Sequence, residues 1–237
     1  GSQFVEISQT GPGLSRFGST SHEVGWLVEK IPKNNDMTKD EEKKFIIDAS
    51  FKMQLAVMKM SQHQINTCWM AGTFNEGEAE KRFPGYKIAA VVAYGEEKKS
   101  KHMMGWLFGL LGGHESRLNF NQLFYDDDIK RELNENDFKS NNSPIYRNYL
   151  EDFVTALRSG PSPMNLQTWR FVFSGKGKEV NLFDIKNDQT SWFTSGIALA
   201  NLFLLAEIKG GSCTVEVKNP VPAVYSFGGK YIATVTY

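Results

Sequence analysis

The chain has 237 residues, enough to bury a substantial core as one large domain or two interlocked ones. Lys+Arg and Asp+Glu are 27 each, so no excess charge argues for nucleic acid or a membrane surface as partner. Two cysteines make no disulfide framework, and the presented N-terminus carries no signal-peptide pattern; both point to a cytoplasmic or otherwise reducing compartment.

In chain order, Gln3 to Ser8 alternates like a strand, Gly11-Pro12-Gly13 is a loop, and Val24 to Glu29 predicts a second strand. Thr38 followed by Glu41 is a capping-box pattern that opens a long helix to about Gln62. Thr67 to Ala71 predicts a short strand, Gly77 to Phe83 a short helix, and Tyr86 to Tyr94 a strand. Met103 to Leu111, the longest uninterrupted apolar run, is far short of the ~20 residues a bilayer span needs and predicts an outer helix. Residues 119–142 are acidic and amide-rich and read as a long surface connection. Helix over 144–158, strands over 169–173 and 179–183, a second long helix and two further strands complete an α+β chain.

Two stretches resemble each other. Asp48-Ala49-Ser50 opens one apolar helical pattern and Ser195-Gly196-Ile197 another, 147 positions on; Cys68 and Cys213 follow them, 145 apart. Each pattern leads into a β-rich run, at 86–94 and at 230–236. Both helices are apolar around much of their circumference, which predicts burial. Together these features read as a homodimer core fused into one polypeptide.

Pro161-Ser162-Pro163-Met164-Asn165-Leu166-Gln167-Thr168-Trp169 is a Pro-rich turn running into a strand, with three uncharged hydrogen-bonding side chains. It resembles the Pro-Ser-x-x-Asn-x-Gln-Pro-Trp signature of FMN-dependent nitroreductases, with Thr168 in place of the second Pro. Thr67-Cys68-Trp69-Met70-Ala71-Gly72 resembles that family's Thr-Cys-x-x-Gly-Gly loop, with Ala71 in place of a Gly. The resemblance spans roughly positions 40 to 237 and is strongest to the nitroreductase-like branch with two fused halves.

That resemblance implies a pseudo-dimeric single chain with two related helix-plus-antiparallel-sheet halves: 1–95, a connector over 96–143, and 144–237. It implies FMN as cofactor, NAD(P)H as hydride donor and a small electron-poor acceptor. Pro161, Ser162, Met164, Asn165 and Gln167 would line the flavin edge; Thr67, Cys68, Trp69 and Gly72 would line a face. Lys99 or Lys101 would meet the phosphate, a charge-assisted contact that suits Lys. The turn stands in one half and the loop in the other, so one composite site per chain is expected, in a monomeric pseudo-dimer. An Arg-x-Ser-x-Arg segment is expected upstream of the first repeat and finds no match there, so the first half reads as N-terminally incomplete or as having lost part of its pocket. No side chain is assigned as catalytic, and His22, His63, His102 and His114 show no metal spacing. A second reading stays open: a non-catalytic relative that keeps the fold for flavin storage or macromolecular binding.

Overall fold

The computed structural model describes residues 3–8, 23–33, 36–70, 74–95, 116–139, 150–176, 178–210, 212–219, 222 and 227–237. The chain divides into two compact units, Gly1–His114 and Glu115–Tyr237.

In the first unit, the strands are β1 (Gln3–Ser8), β2 (Glu23–Pro32), β3 (Asn66–Trp69) and β4 (Tyr86–Gly95). Among the described residues they form an antiparallel sheet in the order β1-β2-β4-β3. The interior strand β4 runs Ile88-Ala89-Ala90-Val91-Val92-Ala93, every residue buried, as a strand covered on both faces requires. Trp26, Val28, Met70, Val91 and Ala93 join one core cluster, and Ile31 and Ala89 pack with Ala49 of helix α1 (Lys39–Gln62). A shorter helix, α2 (Glu76–Arg82), precedes β4. Gly25 faces Tyr94 across β2 and β4, where an added Cβ would lie 2.4 Å from the Tyr94 hydroxyl, so the ring occupies space only glycine leaves.

The expected capping box is present. Glu41 N donates to Thr38 Oγ1 at 3.3 Å, and Thr38 N donates to Glu41 Oε2 at 2.8 Å. These bonds from Thr38 hold the Glu41 carboxyl below its ordinary value. A depressed folded-state value contributes stability above the unfolded carboxylate value, and that contribution is lost as pH falls through the depressed one. Thermal melts of wild type and Glu41→Ala should therefore differ at neutral pH and converge in acid; a constant gap would refute the coupling.

Helix α1 departs from the expectation of all-round burial. Ile46, Ala49, Ser50, Met53 and Gln54 form one buried stripe, while Met58 is 41% exposed. The spacing is that of an amphipathic face, and Lys43, Lys44, Asp48, Lys52 and Lys59 occupy the remainder of the surface.

The second unit contains strands β5 (Phe124–Asp126), β6 (Arg131–Glu132), β7 (Trp169–Ser174), β8 (Glu179–Asp184), β9 (Thr214–Glu216) and β10 (Lys230–Thr236). Their order is β6-β5-β7-β8-β10-β9; β5 runs parallel to β7 and the other pairs are antiparallel. Its helices are α3 (Phe120–Leu123), α4 (Glu135–Lys139), α5 (Leu150–Ser159) and α6 (Gln189–Gly210).

The reading of 119–142 as a surface connection is corrected here. Leu123, Phe124 and Tyr125 are buried, β5 pairs with β7, and the Phe124 ring stacks on Phe171 at 5.5 Å. Three apolar residues between Gln122 and Asp126 are too short a run to show a period, yet enough to add a strand to a preformed sheet edge. The helix expected at 103–111 lies outside the described residues.

Helix α6 fulfils the expectation of burial. Trp192, Ile197, Ala198, Leu199, Ala200, Leu202 and Ala206 are buried, as are Thr194, Ser195 and Asn201. By length and composition alone its Gln189–Ile208 stretch could cross a membrane, but 67% of it is buried within the protein, the behaviour of a core helix.

Each unit, taken by itself, follows the same course. An antiparallel hairpin (β1-β2 or β7-β8) leads to a long helix (α1 or α6), a short edge strand (β3 or β9), then a long strand (β4 or β10) inserted beside the hairpin. In both, the inserted strand is bulged where it meets the hairpin: Ala89 is skipped between the Glu29 and Lys30 pairings, and Ile232 between the Phe183 and Leu182 pairings. The two units thus share a strand order and the place of a bulge.

Candidate functional site

The turn between α5 and β7 is the most strained segment described. Met164, Asn165 and Gln167 have φ of 50°, 54° and 46°, the left-handed region, and none is glycine. Such residues cost on the order of 1–3 kcal/mol each and persist where surrounding bonds over-determine them, commonly at functional sites. A short 3-10 turn over Pro163–Asn165 forms here, with Pro fixing its first position. Asn165 N donates to Ser162 O at 3.0 Å, and Gln167 N donates to Ser162 Oγ at 3.1 Å. The result lifts Met164 into solvent at 80% exposure and leaves Ser162 and Asn165 half-buried.

The bonds that hold the turn come largely from residues 116–118. Asn165 Nδ2 donates to Ser116 O at 2.6 Å, and Arg117 Nη1 donates to Asn165 Oδ1 at 3.0 Å. Gln167, only 3% exposed, accepts at Oε1 from Leu118 N (3.0 Å) and donates from Nε2 to Ser116 O (3.3 Å). Its Nε2 also lies 3.1 Å from Asn165 O and from Asn165 Oδ1. Arg117 further donates to Gly160 O (3.2 Å) and Ser159 O (3.3 Å), and Arg158 Nε to Leu118 O (2.9 Å).

Among the described residues neither Arg117 nor Arg158 makes an ion pair; carbonyl and amide oxygens are their hydrogen-bond partners. Desolvation, with Arg158 nearby, holds the Arg117 guanidinium below its ordinary value; an arginine side chain stays charged in a protein. A third guanidinium, Arg170, lies at the start of β7, bonds Gln167 O and Trp169 O, and is drawn down by burial, but Tyr125 and the Asp184 carboxylate lie beside it. Arg117 and Arg158 make the side of the turn that meets residues 116–118 cationic. It also adjoins two buried polar atoms with no hydrogen-bond partner among the described residues, Thr168 Oγ1 and Trp169 Nε1.

Sequence reasoning named Pro161, Ser162, Met164, Asn165 and Gln167, and the structure brings these five together in one turn. It also missed three neighbours. Ser116, Arg117 and Leu118 contact the turn over more than forty positions of sequence. A Ser-Arg pair at the head of a polar stretch was the available signal, but only the fold shows what it touches.

In the first unit, Thr67, Cys68 and Trp69 lie on the edge strand β3, opposite Tyr94, Ala93 and Val92. Trp69 Nε1 donates to the buried Gln54 Oε1 of α1 at 3.2 Å. Cys68 is exposed as a residue, but its sulfur is desolvated and its thiol is pushed up, which disfavours a thiolate nucleophile. Gly72, Lys99 and Lys101 lie outside the described residues. Among the described residues no group of His, Cys, Asp and Glu is placed to hold a metal ion.

The donor set at the turn suits the polar edge of a flavin in part. The Ser162 hydroxyl accepts from Gln167 N and retains its own hydrogen to donate, and Asn165 carries at the half-exposed rim an amide whose Nδ2 donates to Ser116 O and whose Oδ1 accepts from Arg117 and Gln167. Gln167 has every polar side-chain atom engaged within the protein.

No curated protein matches the chain in sequence. A crystal structure of a putative nitroreductase from Thermotoga maritima is similar to it in fold, with a TM-score of 0.54 at 14% identity, over 90% of this chain and 70% of that one. A family model described as "Putative TM nitroreductase" matches residues 36–204, well over half of the sequence. This span takes in α1, β3, the 161–167 turn and most of α6, the elements on which the resemblance first rested. The chain belongs to that nitroreductase family.

Proposed function

We propose that the chain is an FMN-dependent oxidoreductase of the nitroreductase type, carrying hydride from NAD(P)H through the flavin to a small electron-poor acceptor. The family supports oxidoreductase chemistry, and the observation that carries the flavin reading is the strained turn, three left-handed non-glycine residues holding Ser162 and Asn165 at a cationic rim. Bound FMN would supply the hydride chemistry; the protein's part is to hold it and exclude competing reactions. Ser162 and Asn165 would meet the ring edge, with Pro161 and Met164 beside them. Thr67, Cys68, Trp69 and Gly72 keep their assignment to a flavin face, and Lys99 or Lys101 theirs to the phosphate, on the resemblance alone. The topology repeated in the two units supports reading the chain as two related halves, a pseudo-dimer in one polypeptide.

Purified protein incubated with FMN should turn yellow and bleach when NADH or NADPH is added without oxygen. Asn165→Ala should weaken FMN retention about tenfold, since the ring edge loses a partner. Retained colour that neither nucleotide bleaches would favour flavin storage instead, and a protein that ignores FMN would end the flavin reading.

A further inference from the structure

Gln167 treats a neighbouring segment as one strand treats another. Its amide accepts from Leu118 N and donates to Ser116 O, so it brackets residue 117 from both sides, as a paired peptide group would. The residue so bracketed is Arg117. Its guanidinium reaches Asn165 Oδ1 at 3.0 Å, and the carbonyls of Ser159 and Gly160 receive its other bonds. Arg158 closes the arrangement from the far side by donating to the carbonyls of Leu118 and Arg117.

We propose that Gln167 is a positioning residue: it clamps the backbone of 116–118, and that clamp sets Arg117 against Asn165, so that flavin affinity depends on Gln167 through Arg117 rather than through contact with the ring. Three observations carry this. Gln167 is 3% exposed, whereas Asn165, whose side-chain polar atoms are engaged as well, stands half-buried at the rim, so burial keeps Gln167 and not Asn165 from a ligand. Arg117 has no acid neutralising it among the described residues, so its charge is available to an anionic ligand. The strained φ of Gln167 itself, 46°, is tolerated where a specific side-chain direction is required. The proposal rests on the flavin reading above and changes the role of one residue within it.

A double-mutant cycle tests it. FMN affinity, read by flavin fluorescence quenching, would be measured for wild type, Gln167→Ala, Arg117→Ala and the double variant. Each single variant should bind about tenfold more weakly, and the double variant no more weakly than Arg117→Ala alone. Losses that multiply, or an unaffected Gln167→Ala, would overturn the proposal, since a direct ring contact acts independently of Arg117. Hydrogen exchange at the Leu118 amide supplies a readout without flavin: it should quicken in Gln167→Ala, and unchanged protection would reject the clamp. Should that variant fail to fold, Gln167→Glu keeps an acceptor for Leu118 N but not the donor to Ser116 O. It should give an intermediate affinity and keep Leu118 protected; loss of that protection would count against the clamp. If wild type itself binds no FMN, the flavin reading fails, and the exchange experiment still decides whether the clamp exists.

Discussion

Trp169→Ala should destabilise the second unit by about 3–5 kcal/mol, the range for deleting a fully buried tryptophan from a core. The side chain is 0% exposed, and its ring packs near Phe171 with centroids 6.5 Å apart. Its far edge also meets Gly160, where an added Cβ would lie 3.4 Å from the ring. The ring thus fills space between the start of β7 and Gly160, which follows α5. Because its Nε1 has no hydrogen-bond partner among the described residues, Trp169→Phe removes volume but no such bond. It should cost well under half as much as the alanine variant. Urea denaturation of the two variants checks both values, and equal losses would mean that the indole N–H has a partner in solution.

Asp184→Ala should be the second most damaging of these substitutions, at about 2–4 kcal/mol. Asp184 is fully buried at the end of β8 and gathers the entry to α6. Its carboxylate accepts from the Ser191 hydroxyl, from Lys186 N at 3.1 Å and from Asn187 N at 3.2 Å. One turn on, Asp188 and Ser191 cap the helix reciprocally: Ser191 N donates to Asp188 Oδ1 at 2.8 Å and Asp188 N to Ser191 Oγ at 2.9 Å. Removing the carboxylate loosens two backbone donors and takes an acid from beside the buried Arg170, while the Ser191 hydroxyl keeps Asp188 O as an acceptor at 2.9 Å; bonds to a charged acceptor are the costly ones to lose. Thermal melting should show the loss as a drop of several degrees. A shift within a degree of wild type would mean that the cap alone fixes the helix start.

The elements legible in sequence were those with length and period. The Thr38–Glu41 cap fixed the start of α1, and the unbroken apolar run of β4 marked a strand. The apolar circumference of α6 gave its burial. What stayed illegible depends on distant partners. β5 is three residues long and exists because β7 offers it an edge. Whether α1 would be buried all round depends on how much apolar surface faces it, and its lysines were the overlooked sign that little does. The turn drew notice in sequence through Ser, Asn and Gln at that spacing around Pro. Its energetics were not legible: nothing in residues 161–167 tells that Gln167 spends its amide on a segment some fifty positions earlier, or that Arg117 brings a charge to Asn165.

Counting flavin per polypeptide tests the central claim most directly. Protein saturated with FMN and freed of excess should release, on denaturation, one FMN per chain by absorbance, because the Ser-x-x-Asn-x-Gln turn occurs once in the sequence. Asn165→Ala should release clearly less under the same wash. No flavin from wild type, or the same amount from both proteins, would contradict the assignment of this turn as the flavin's seat.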